Sequence, residues 1–144
     1  MFMGEFQHSI DDRARFIVPA KFREELGEKF IITKGLEKCL FIYPLNEWEK
    51  VVERLNGLSS TRADIRKFSR MFFSGAIEAE TDKQARVVLP ANLRTFSGIE
   101  KDIIFIGVSS RIEIWDKAAW QEYSDRAAED YEAIAEAIDT NIPL

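Results

Sequence analysis

Two arginines in this 144-residue chain each stand four residues after an aspartate and open a short apolar run: Asp11 with Arg15, and Asp82 with Arg86. A guanidinium is a planar fork of donors, a shape that phosphate oxygens and the O6/N7 edge of guanine accept in pairs. A carboxylate placed earlier in a polar turn accepts from backbone amides and orients that fork. The same pattern also reads as turn structure alone, with the aspartate tying the backbone and the arginine closing an ion pair. Local charge bears on the choice. Residues 11–23 carry Arg13, Arg15, Lys21 and Arg23 against two aspartates, and residues 82–94 carry Lys83, Arg86 and Arg94 against one, a net of +2 in each segment. A β-element bearing such residues fits a major groove. Lys21, Arg23 and Arg94 lie beyond the apolar run and read equally as phosphate contacts or solvated charges.

The elements that position these residues come as a repeat. Residues 11–23 align without gaps to residues 82–94, with six of 13 positions identical at an offset of 71. Chance would give about one identity, since each residue type makes up only several per cent of ordinary usage. Downstream, Gly27 matches Gly98, Ile31-Ile32 matches Ile103-Ile104, Leu40–Tyr43 matches Ile112–Trp115, and Trp48 matches Trp120. In each copy a polar turn leads into a short strand (16–18, 87–89) closed by Pro19 or Pro90, because proline cannot donate to a ladder. A short helix follows (20–26, 91–97), with Gly27 or Gly98 as its C-cap. A hairpin comes next (30–33 with 39–43; 102–108 with 111–115). Apolar periodicity predicts a helix over 45–55 and another over 61–73 capped by Ser60, and a last helix running from Lys117 into the acidic tail. The chain divides into a first repeat with its following helix (1–54), a helical connector (55–75), and a second repeat with an acidic C-terminal helix (76–144). A repeat of this size buries too little surface to stand alone, so the two copies are expected to complete one another's core as one pseudo-twofold structural unit.

Several kinds of chemistry find no support. No nucleophile elbow, phosphate-binding glycine loop or zinc-protease motif occurs, and no enzyme activity, cofactor or metal is expected. The single cysteine, Cys39, lies in an apolar run and reads as a core residue; the single histidine, His8, reads as a strand residue. One cysteine and no secretory-type start point to a reducing, cytoplasmic compartment. No apolar run approaches the roughly 20 residues of a membrane span. The net charge of −5 argues against nucleic acid only if it is evenly spread. It is not: residues 116–139 hold eight acidic and two basic side chains, a net of −6, and the remainder sums to +1.

With both Asp-x-x-x-Arg turns, the Ile17–Arg23 run, Met1–Gly4, Tyr43–Trp48 and Phe73–Gly75 in view, the whole chain resembles the MraZ family of bacterial regulators encoded at the head of the division and cell-wall gene cluster. The resemblance implies a mixed α/β, β-rich fold: a pseudo-twofold swapped-hairpin (AbrB-like) β-barrel built from the two repeats, with peripheral helices. It implies a sequence-specific DNA-binding transcriptional regulator, a repressor of its own operon, on G-rich direct repeats of double-stranded DNA. It also implies a ring-shaped homo-oligomer, an octamer, associated with the nucleoid, with neither membrane nor small-molecule substrate as partner. Carried over residue by residue, Arg15 and Arg86 are DNA contacts, Asp11 and Asp82 support them, and Arg13 and Lys83 are further contacts in the same turns. Where family motifs commonly place glycine before the arginine, this chain has Ala14 and Ala85; a positive φ there would strain an alanine. The rival reading is a ring-forming protein-interaction module whose Asp-x-x-x-Arg turns are structural.

Overall fold

A computed structural model describes residues 1–138. Each repeat contributes the same series. In the first these are β1 (Phe2–Ser9), β2 (Arg15–Ile17), α1 (Ala20–Leu26), β3 (Lys29–Lys34), β4 (Leu40–Pro44) and α2 (Leu45–Asn56). A connector helix, α3 (Ala63–Ser74), leads to β5 (Ile77–Glu80), β6 (Arg86–Val88), α4 (Ala91–Ser97), β7 (Asp102–Ser109), β8 (Arg111–Asp116), α5 (Lys117–Glu129) and α6 (Tyr131–Ala137).

The pairing exchanges strands between repeats. β1 runs antiparallel to β7 of the second repeat, and β5 runs antiparallel to β3 of the first. The two hairpins join through β4 and β8, giving a six-stranded sheet in the order β1-β7-β8-β4-β3-β5. Among the described residues, β2 and β6 pair only with each other, as a separate two-stranded ribbon. The order is symmetric about the β4–β8 contact, where Phe41 faces its repeat counterpart Glu113. The pairing corrects the expected single barrel: the described strands make two sheets, and the six-stranded one has β1 and β5 as its edges.

Side-chain alternation explains the layers. In β4, Leu40 and Ile42 enter the main core, while Phe41 and Tyr43 enter a second cluster on the other face. Both faces are covered, so the strand reads as a continuous apolar run rather than an alternating one. The main core lies between the sheet and the ribbon: Phe16 and Val18 meet Val87 and Leu89, with Phe30, Ile32, Phe105 and Ile114 from the sheet. Neither repeat owns this core. The second cluster is closed by Trp48, Val51 and Leu55 of α2, Phe72 and Phe73 of α3, and Trp115 with Trp120. Thr33, wholly buried, donates its hydroxyl to the Phe72 carbonyl at 2.6 Å and ties α3 to β3.

Other local expectations need adjustment. Both short helices begin just after the proline, as expected, and Gly27 (φ 79°) and Gly98 (φ 66°) follow their ends. α3 starts later than expected, with Arg62 rather than Ser60 at its N-cap and no side-chain cap bond. The single C-terminal helix is instead two, α5 and α6, broken at Asp130. Asp139, the last acidic residue of that segment, lies outside the described residues.

Candidate nucleic-acid interface

The two turns fold identically, for a local reason. One carboxylate oxygen of Asp11 accepts from the backbone N–H of Arg13 (2.9 Å) and of Arg15 (2.8 Å). The other accepts from Arg15 Nε at 2.8 Å. Asp82 repeats this with the N–H of Gln84 (2.8 Å), the N–H of Arg86 (2.9 Å) and Arg86 Nε (2.8 Å). Backbone bonds close the loops: Asp11 N–H to Arg15 O, Ala14 N–H to Asp11 O, and their counterparts at Asp82 and Ala85. Both carboxyls are held below the usual carboxylate range. Partial desolvation works against this at Asp11, but the Arg15 N–H, its guanidinium and the Arg13 N–H outweigh it. At Asp82 the Arg86 N–H is the main cause, with the Gln84 N–H and the Arg86 guanidinium adding to it.

The tight loop requires a left-handed residue before the arginine. Ala14 has φ 57° and Ala85 φ 61°. Both alanines therefore sit in the left-handed region, strained for a residue with a Cβ, and the loop bonds hold them there.

Each arginine spends only Nε on its aspartate. Among the described residues, the terminal nitrogens of Arg15 and Arg86 make no hydrogen bond, so each presents an oriented pair of donors. The β2–β6 register sets Arg15 opposite Val88 and Ile17 opposite Arg86. Phe16 and Val87 fill the core, so Arg15, Ile17, Arg86 and Val88 share the outward face of the ribbon. Strand rise and spacing then put the two arginine Cα atoms about 8 Å apart on a diagonal. The turns are hung on opposite repeats: Ile10 N–H donates to Lys101 O (2.8 Å), and Thr81 N–H to Glu28 O (3.0 Å).

The remaining basic residues separate. Arg13 and Lys83 are exposed on the turn tips but occupy different loop positions, since the N–H that Arg13 gives to Asp11 is given to Asp82 by Gln84. Arg23 and Arg94 are engaged elsewhere: Arg23 Nε donates to Val18 O (2.9 Å), and Arg94 to the carbonyls of Ile99 and Glu100. These two close backbone at the ends of the short helices. Ile17 and Val88 went unmarked in the sequence because they lie in apolar strands. Their spacing of two from Arg15 and Arg86 was the signal that they share the arginines' face.

Other chemistry-bearing groups are structural in their surroundings. Cys39 is buried, and desolvation pushes its thiol up to about 12. His8 packs edge-on against Phe105, and burial, followed by nearby Arg23, lowers its pKa. A cleft of about 440 Å³ runs under the second turn, lined by Arg23, Glu24, Glu28, Asp82 and Lys83 among others, with Asp82 already committed to its turn. Among the described residues no group of His, Cys, Asp and Glu side chains is placed to hold a metal ion, and no helix is long and apolar enough to cross a membrane.

Comparison with known proteins adds relatives along nearly the whole chain. The family model "MraZ protein, putative antitoxin-like" matches twice, over residues 1–71 and 72–141. A "Transcriptional regulator MraZ" of Thermoanaerobacter sp. (strain X514) is 55% identical over 139 residues, 96% of this chain and 97% of the relative. Proteins of the same name are 53% identical in Moorella thermoacetica, over 94% of this chain and 95% of the relative, and 55% identical in Pelotomaculum thermopropionicum, over the full length of both.

Proposed function

Since the chain belongs to the MraZ family, we propose that it is a transcriptional regulator that binds double-stranded DNA through the paired Asp-x-x-x-Arg turns. Its fold is then read as the swapped-hairpin, AbrB-like arrangement, with 1–54 and 76–144 as the two repeats and 55–75 as connector. The carrying observation is the pair of guanidiniums, each fixed at Nε by an aspartate and open at its terminal nitrogens, on one face of the β2–β6 ribbon. Preorientation of this kind removes part of the entropy lost on binding. A two-stranded ribbon fits the major groove, where Arg meets guanine O6 and N7 in bidentate fashion. Arg15 and Arg86 are the reading residues in this proposal, Asp11 and Asp82 hold them, and Arg13 and Lys83 reach flanking phosphates from the turn tips.

The target is taken to be G-rich direct repeats upstream of the chain's own division and cell-wall operon, bound in the cytoplasm at the nucleoid, with repression as the outcome. One subunit offers few phosphate contacts and a net charge of −5. A ring, proposed as an octamer, sets several ribbons on several repeats and raises the effective concentration of each further contact. The rival reading, a ring-forming interaction module, is supported by the same backbone bonds to Asp11 and Asp82, since a turn needs them whether or not DNA is bound. Fluorescence anisotropy on labelled upstream DNA separates the two. The regulator reading expects tight, salt-sensitive binding that scrambled DNA does not match and that Arg15→Ala/Arg86→Ala loses while staying folded. Equal affinity for scrambled DNA would leave the turns architectural.

A further inference from the structure

Between the two arginines the ribbon exposes two aliphatic side chains. Ile17 is 37% and Val88 60% accessible, although their neighbours Phe16 and Val87 are buried. They are repeat counterparts, so an apolar group stands twice at one position of a face that, among the described residues, is left partly open. Each sits directly across the ribbon from an arginine: Val88 from Arg15, and Ile17 from Arg86. An occupant of this face must therefore offer hydrogen-bond acceptors at the two arginines and apolar contact at the other two corners. A protein surface that did so would have to be both acidic and apolar. The floor of the DNA major groove carries both groups side by side, with guanine O6 and N7 as acceptors and the thymine C5-methyl as the apolar group.

We infer that Ile17 and Val88 are specificity-determining residues that contact thymine C5-methyl groups next to the guanines read by Arg86 and Arg15. The inference rests on the DNA-binding reading above. It adds that the recognised sequence must hold thymine beside guanine, which the arginines alone would not require. A buried methyl is worth about a fourfold change in affinity.

Deoxyuracil differs from thymine only by that methyl, so it isolates the contact. Two labelled duplexes of the same upstream sequence, one with thymine and one with deoxyuracil throughout, are titrated with the full-length chain beside a scrambled duplex. The wild type should prefer the thymine duplex by at least about fourfold. In Ile17→Ala/Val88→Ala the ratio should fall to near one, with melting temperature and assembly mass unchanged. Equal affinity of the wild type for both duplexes overturns the inference, as does a ratio that persists in the variant. A changed assembly mass in the variant would assign the pair to a subunit contact and overturn it too. If neither duplex binds better than the scrambled one, the DNA-binding reading itself fails, an outcome distinct from equal specific binding to both.

Discussion

At Asp11 and Asp82 a single carboxylate does two jobs, closing a turn with one oxygen and orienting an arginine with the other. Removing the arginine leaves the backbone bonds in place. Arg15→Ala or Arg86→Ala should therefore weaken specific DNA binding by about 1–3 kcal/mol per contact and leave the melting temperature nearly unchanged, as anisotropy and thermal unfolding would show. Removing the aspartate is different. Both carboxyls titrate lower in the folded chain than the ordinary value of 3.8. The turns thus contribute fully above that value and lose their contribution as pH falls through the lowered folded value. Asp11→Asn/Asp82→Asn should flatten the acid limb of stability against pH below about 4, measured by urea unfolding across a pH series; an unchanged limb would show that the turns do not carry it. The alanine before each arginine offers a third test. Glycine would relieve about 1–2 kcal/mol of left-handed strain and return about 0.5–1 kcal/mol as extra freedom of the unfolded chain. Ala85→Gly should then raise stability by up to about 1.5 kcal/mol. Ala14→Gly should gain less, because the Ala14 methyl packs against the core.

Among the elements, the exchanged strands carry the architecture, and one of their pairings leaves no room for a side chain. Gly107 of β7 pairs with Gly4 of β1, and a Cβ built on it would lie 2.3 Å from the Met3 backbone nitrogen. No side-chain rotation relieves a clash with backbone. Gly107→Ala should push β1 off β7 at a cost of about 1–3 kcal/mol, with faster amide exchange along 2–9 and little change in the β3–β4 hairpin. The hairpin helices follow a different logic. α2 and α5 occupy matching places, but only the first repeat is followed by the connector helix, whose Phe72 and Phe73 close the second cluster. The two halves are thus alike where they form the sheet and unlike where they cover it.

For the molecule as a whole, exchange makes the halves interdependent. Residues 1–75 alone supply β1 and the β3–β4 hairpin without the β7 and β5 strands these pair with. That fragment should be unfolded as a monomer, or should pair with a second copy of itself about the same twofold arrangement. Mixing it with residues 76–144 should restore the native far-UV spectrum. Circular dichroism with size exclusion checks this, and a stably folded monomeric fragment would contradict it. Charge also acts at this scale. Phosphate contacts release counterions, so affinity for the operator should fall steeply as salt rises, with a slope set by the number of turns engaged.

The sequence by itself determined the repeat, the short proline-started helices, the hairpins and the arginines to watch, because identity at a fixed offset, proline and glycine placement, and residue chemistry are all local signals. It also located the strain at Ala14 and Ala85 as a question, though not its answer, since the sign of φ follows from how the loop closes. Only the tertiary structure decided that the strands form two sheets rather than one barrel, that β1 and β5 cross to the other repeat, and that Arg23 and Arg94 serve backbone carbonyls. It alone brought Arg15, Arg86, Ile17 and Val88 onto one face. The sheets, the strand exchange and the shared face depend on pairing between residues far apart in the chain, about 70 positions in the β2–β6 ribbon, and long-range register is fixed by which apolar faces bury together, which no short stretch of chain can specify.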